Sequence, residues 1–144
     1  LLFMDLDDFK RINDTMGHRS GDYALRCVAD LFRHTLRATD MVGRIGGDEF
    51  VALLTGISAK EGGVECAKRL CEAVGSMEDP NLGGLRLSCS IGGAICPKDG
   101  TDYDTLFVKA DTAAYEAKRL GKNRYVFYTP GLELKNGYCT SSMS

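Results

Sequence analysis

A chain of 144 residues is long enough for one packed core and too short for two. Hydrophobic residues make up 44% and charged residues 26%, and 18 basic against 20 acidic side chains leave a net charge of −2. That balance excludes the electrostatic footprint of a nucleic-acid or anionic-membrane binder, and the segment shows neither a signal peptide nor an apolar run near the ~20 residues of a membrane span.

Leu1 to Met4 is a short apolar run ending in Asp5, Asp7 and Asp8, and reads as a buried strand. No turn or cap precedes it, so the natural domain is expected to extend upstream. Asn13 to Gly21 is polar and carries Gly17 and Gly21, which predicts a loop. From about Gly21 to Ala38, Leu25, Val28, Leu31, Phe32 and Leu36 follow helical spacing. A hairpin comes next: Met41 to Ile45, then Gly46-Gly47-Asp48, then Phe50 to Leu54. Ser58 and Glu61 resemble a capping box opening a helix that Gly75 stops, with Val64, Ala67, Leu70, Cys71 and Val74 on one face. Leu85, Leu87 and Cys89 alternate with Arg86, Ser88 and Ser90, predicting a half-buried strand. A helix from about Asp104 to Leu120 and a strand from Arg124 to Tyr128 close the pattern.

The order β-α-β-β-α-β-α-β predicts one α+β domain over residues 1–128, a central sheet containing antiparallel strands with helices packed on it. Residues 129–144 are polar and Ser/Thr-rich, and read as a linker or frayed tail. The six cysteines (27, 66, 71, 89, 96 and 139) form no Cys-x-x-Cys pair, which argues against zinc. Several fall on apolar faces as small hydrophobes, and a cytoplasmic compartment is the simplest reading.

The chemistry sits in the acids. Asp5 closes one strand and Asp48-Glu49 occupies the hairpin tip, so side-by-side pairing would gather three carboxylates. Clustered carboxylates need a cation, and hard oxygen ligands favour Mg²⁺. The plainer alternative is solvated turn acids, common at strand ends.

Gly46-Gly47-Asp48-Glu49-Phe50 spells the motif that names the GGDEF domains. It is accompanied by Asp5-Leu6-Asp7-Asp8-Phe9-Lys10, Ile12-Asn13-Asp14, Gly17-His18 and Gly21-Asp22. Downstream stand Arg37-x-x-Asp40, Arg44, Ala110-Asp111, Tyr115-x-Ala117-Lys118 and Gly121-Lys122-Asn123-Arg124. In this order and spacing the chain resembles the GGDEF family, the diguanylate cyclase catalytic domains, to about Tyr128.

The resemblance implies a polymerase-palm or nucleotidyl-cyclase-like fold that joins two GTP into cyclic di-GMP. It implies Mg²⁺, with Mn²⁺ as a substitute, held by Asp5, Asp48 and the backbone carbonyl of Leu6. Asp48 would also be the base at the 3′-hydroxyl, with Glu49 able to share either task and Lys10 meeting the triphosphate. Asn13 and Asp22, with His18 nearby, would read guanine: a carboxylate accepts N1–H and N2–H₂ together, and adenine offers no such pair. Asp22 read alone is a helix N-cap. Asp8 and Phe9 belong to the same substrate-facing block. Gly46 and Gly47 leave the turn clear for a nucleotide, and Lys118 and Lys122 face phosphate. Arg37 and Asp40 resemble the family's inhibitory site for the product, and two protomers would have to meet as a homodimer for catalysis.

Three departures stand beside the match. The family's leading helix and Asp-x-Leu-Thr-Gly-Leu-x-Asn-Arg stretch are unmatched, Ala114 replaces a leucine, and Lys122 stands where arginine is commoner. Two rival readings are a module that holds GTP or cyclic di-GMP without turnover, and a dimerisation domain beside a phosphodiesterase domain. Intact Asp5, Lys10, Asp48 and Glu49 argue against the first.

Overall fold

The computed structural model describes residues 1–57 and 60–135. Five strands, β1 (Leu2–Leu6), β2 (Met41–Gly46), β3 (Glu49–Leu53), β4 (Cys89–Gly93) and β5 (Arg124–Phe127), form one mixed sheet in the order β2-β3-β1-β4-β5. β1 is antiparallel to both neighbours, and only the β4–β5 pair runs parallel. The helices are α1 (Phe9–Met16), α2 (His18–Thr35), α3 (Lys60–Gly75), α4 (Tyr103–Arg119) and a short α5 (Leu132–Lys135). The α+β architecture expected from the sequence is the one observed.

β1 is central and covered on both faces, so it carries a continuous apolar run rather than an alternating one. Leu2, Met4 and Leu6 join Val28, Phe32, Leu70 and Val74 in the core beneath α2 and α3. Phe3 and Val51 meet Leu106, Ala110 and Ala114 of α4 on the opposite face. α4 lies very close to β4: a Cβ on Gly92 would strike the Ala110 backbone carbonyl. Phe50, the last residue of the Gly-Gly-Asp-Glu-Phe motif, meets Phe32 edge to face at 5.2 Å. Burying such a ring contributes about 3–5 kcal/mol against alanine, which ties the hairpin to α2.

Three local readings are corrected. Residues 13–21 are not a loop: α1 and α2 run through them, broken only at Gly17, whose φ is +89°. α1 buries Ile12 and half-buries Phe9 and Met16 on the same face, but Gly17 and Gly21 read as loop residues in the sequence. Asp22 therefore lies inside α2, whose N-cap is Gly17. The strand expected over 85–90 begins instead at Cys89, because the buried segment Cys89–Gly93 shows no alternation and its Gly92 admits α4. Ser58 of the expected capping box lies outside the described residues.

Packing continues past Tyr128. Leu132 is buried with Tyr128 and Ala113, and the Tyr128 hydroxyl donates to Glu133 at 2.6 Å. Among the described residues no helix is long and apolar enough to cross a membrane.

Candidate functional site

The end of β1 and the hairpin turn are locked together by the ladder. Asp5 stands opposite Glu49, and the Leu6 N–H donates to the Asp48 carbonyl at 3.1 Å. Arg44 of β2 steadies the turn by donating from Nε to the Gly47 carbonyl at 2.7 Å. Gly47 has φ +44°, which asks for glycine, whereas a Cβ on Gly46 or Gly47 would meet open space. The turn is therefore bare on its outer side.

Asp5 is 2% exposed, and its Oδ1 has no hydrogen-bond partner. Burial pushes its pKa up to about 8; the Lys118 ammonium opposes the rise while Asp48 and Glu49 add to it. Glu49 is raised by burial and by the Asp48 and Asp111 carboxylates, against Lys118. Among the described residues no three His, Cys, Asp or Glu side chains gather into a ready-made metal cage. Mg²⁺ does not need one, since it commonly takes one or two carboxylates and completes its shell with water and substrate phosphates. A buried carboxylate oxygen without a donor, beside Asp48, fits such an ion.

Asp7, two residues on, is buried but fully satisfied. It accepts from Ser88 Oγ and Ser90 Oγ, both at 2.6 Å, and from the Asn123 N–H at 3.0 Å. Lys118 Nζ sits between the two acids, 3.5 Å from Asp5 and 3.4 Å from Asp7. Lys122 Nζ bonds Asp8 at 2.6 Å, and that contact holds the Asp8 carboxyl below its ordinary range.

A cleft of about 640 Å³ opens in front of these residues. Its walls carry Leu6, Asp8, Phe9 and Asn13 on one side, with Lys10 exposed at the rim. Gly47 and Asp48 close it from the hairpin, and Lys118 and Lys122 from α4 and the loop after it. Asp5, Glu49 and Gly46 are sequence neighbours of these walls and do not line the cleft themselves. His18 and Asp22 are exposed one helical turn apart on α2 and also lie off its lining. Asn13 is held where α1 and α2 touch: a Cβ on Gly21 would collide with its Oδ1.

Arg37 and Asp40 follow α2, at the end of the hairpin away from the glycine turn, since Met41 pairs with Leu53 there. The Asp40 side chain is 3% exposed and accepts from Arg37 and from the Thr55 N–H at 3.2 Å. Burial works to raise the Asp40 carboxyl, but the Arg37 and Thr55 hydrogen bonds outweigh it and hold it low. Arg37 also donates to the Thr55 carbonyl. The pair borders a hollow of about 360 Å³ with Glu65 and Arg69 of α3.

Sequence reading gave no role to Asp7, Ser88, Ser90, Arg44 or Arg69. The Ser88-x-Ser90 spacing was the available signal, because its polar side faces a buried acid rather than solvent.

A family model described as "Diguanylate cyclase, GGDEF domain" matches residues 1–124. The chain is 42% identical over 130 residues to the bifunctional diguanylate cyclase/cyclic di-GMP phosphodiesterase MucR of Pseudomonas aeruginosa, covering 89% of this chain and 18% of that protein. It spans well under half the length of the curated relatives it matches. Among solved structures, an EAL/GGDEF domain protein from M. capsulatus superposes with a TM-score of 0.81 at 41% identity, over 90% of this chain and 83% of that one. The coiled coil and GGDEF domain of DgcB from Caulobacter crescentus, in complex with c-di-GMP, superposes with a TM-score of 0.76 at 27% identity, over 88% and 67%.

Proposed function

As this chain belongs to the diguanylate cyclase GGDEF-domain family, we propose that it condenses two GTP molecules into cyclic di-GMP with Mg²⁺ as the metal. One observation carries the reading: the buried Asp5 carboxylate, with its unpartnered oxygen, lies behind Asp48, which lines a cleft together with three lysines.

In each of two equivalent steps the 3′-hydroxyl oxygen of one GTP bonds to the α-phosphorus of the other. The bond from that phosphorus to the bridging oxygen breaks, pyrophosphate leaves, and the hydroxyl proton passes to a carboxylate. Asp48 would take that proton, with Glu49 as its neighbour on β3. Asp5, Asp48 and the Leu6 carbonyl would hold Mg²⁺, which when bound acidifies the hydroxyl and neutralises phosphate charge. Lys10, Lys118 and Lys122 supply cations along the triphosphate, and Asn13, reaching the cleft wall, would meet guanine. Asp22 and His18 would complete guanine recognition from the exposed start of α2.

One cleft presents one GTP in this arrangement, so turnover needs a second copy facing the first. The hollow at Arg37 and Asp40, which Arg69 also lines, suits a doubly charged dinucleotide and is the proposed feedback site. A binding-only module is the second reading. Incubation with GTP and Mg²⁺, followed by product chromatography, separates the two.

A further inference from the structure

We propose that Asp7 is a positioning residue of the nucleotide cleft, holding Lys118 by charge and Lys122 through the backbone of Asn123. The proposal rests on the reading that the cleft binds a nucleotide triphosphate.

Asp7 differs from Asp5 in having nothing left to offer. A carboxylate has about four acceptor sites, and Ser88, Ser90, Asn123 and Lys118 aim a donor at each. Its own N–H is engaged too, by the Ser88 carbonyl at 2.9 Å. With every acceptor site taken, its consequences fall on its partners.

Those partners lead to the cleft. Lys118 leans on Asp7 and Asp5 together. After α4 the chain turns through Gly121, Lys122 and Asn123 at φ +124°, +66° and +50°. Lys122 and Asn123 are not glycine, and two successive left-handed residues persist only where their surroundings over-determine them. The Lys122 N–H bonds the Ala117 carbonyl at 3.0 Å on one side, and the Asn123 N–H bonds Asp7 at 3.0 Å on the other. Fixed at both ends, the loop presents the Lys122 side chain to the cleft and to Asp8. Without Asp7 the second anchor is lost, the left-handed turn relaxes, and Lys122 leaves the phosphate side.

A polar core staple alone would predict lost stability with no link to Lys122. The two are separated by a double-mutant cycle on binding of 3′-deoxy-GTP with Mg²⁺, a probe that lacks the attacking hydroxyl and cannot turn over. Asp7→Asn should weaken binding about tenfold in the parent chain and about threefold or less in a Lys122→Ala background. If Asp7→Asn does not fold, Ser90→Ala enters the same cycle, with about a threefold loss in the parent chain and no loss beside Lys122→Ala. Equal losses in both backgrounds, or none in either, would overturn the role of Asp7 alone. A parent chain that does not bind the probe would overturn the nucleotide reading and this inference together.

Discussion

The Asp5 carboxylate lies 3.5 Å from Lys118 Nζ, and that ammonium is shared with Asp7 at 3.4 Å. One lysine thus serves two buried acids, while Asp48 and Glu49 press more negative charge on Asp5. Asp5 is left short of positive charge, which disfavours its ionised form and prepares it for a cation.

A stability prediction follows with a definite sign. The native pKa of Asp5 is raised from 3.8 to about 8, so the folded chain keeps a proton that the unfolded chain releases. Its contribution to stability is full below the ordinary carboxylate range and is lost as pH rises through about 8. With divalent cations chelated, Asp5→Asn should therefore melt progressively higher than wild type as pH rises from about 5 to about 9. A difference in melting temperature that stays constant or shrinks across that range would show that the Asp5 proton is not coupled to folding.

Gly21→Ala tests the seating of Asn13. Alanine for glycine inside a helix ordinarily stabilises by about 0.5–1 kcal/mol. Here the new methyl would strike Asn13 Oδ1 and come within 3.2 Å of the Phe9 ring. The expected result is a KM for GTP raised about tenfold with the fold retained, since losing a specific polar contact of ~1.4 kcal/mol has that effect. An unchanged KM would remove Asn13 from nucleotide recognition.

How much of this was legible in the sequence depended on how local the determinants are. The hairpin was readable because Gly46 and Gly47 interrupt two apolar runs, and Phe50 marks where burial begins, β2 itself being largely exposed. β4 was misplaced because a strand covered on both faces loses its alternation, and Gly92 reads as a breaker until α4 is seen lying on it. α1 was missed because Gly17 and Gly21 read as breakers, although Phe9, Ile12 and Met16 recur at helical spacing just before them. The acids of the site were readable as a motif, yet their division of labour was not. Ser88, Ser90 and Asn123 stand 81, 83 and 116 positions from Asp7, and only the folded chain brings them together.

At the other end of the hairpin, Asp40 should behave oppositely to Asp5. Its carboxyl is held low in the folded chain, so its contribution is full above the ordinary value of 3.8 and is lost as pH falls through the native one. The melting-temperature advantage of wild type over Asp40→Asn should shrink on going from about pH 6 to about pH 3. Arg37→Ala should change the initial rate by less than about twofold and abolish slowing as product accumulates, because a ligand shifts only an equilibrium in which it binds the states unequally. Identical product inhibition in the variant would exclude Arg37 from feedback.

Association makes a kinetic prediction. If two clefts must face each other, the rate per enzyme should rise with enzyme concentration and level off once the chains are paired. A flat specific activity across a dilution series in which sedimentation shows only monomer would rule out the paired mechanism.

The most direct test is the fate of GTP itself. Purified chain with GTP and Mg²⁺ should yield cyclic di-GMP and pyrophosphate in a ratio of about one to two, the balance of two phosphodiester bonds formed for two pyrophosphates released. Asp48→Asn should reduce that rate to below about a tenth, a loss of more than ~1.4 kcal/mol of transition-state stabilisation, without lowering the melting temperature. GTP that remains intact beside a folded, nucleotide-binding chain, or an Asp48→Asn variant as fast as wild type, would contradict the account.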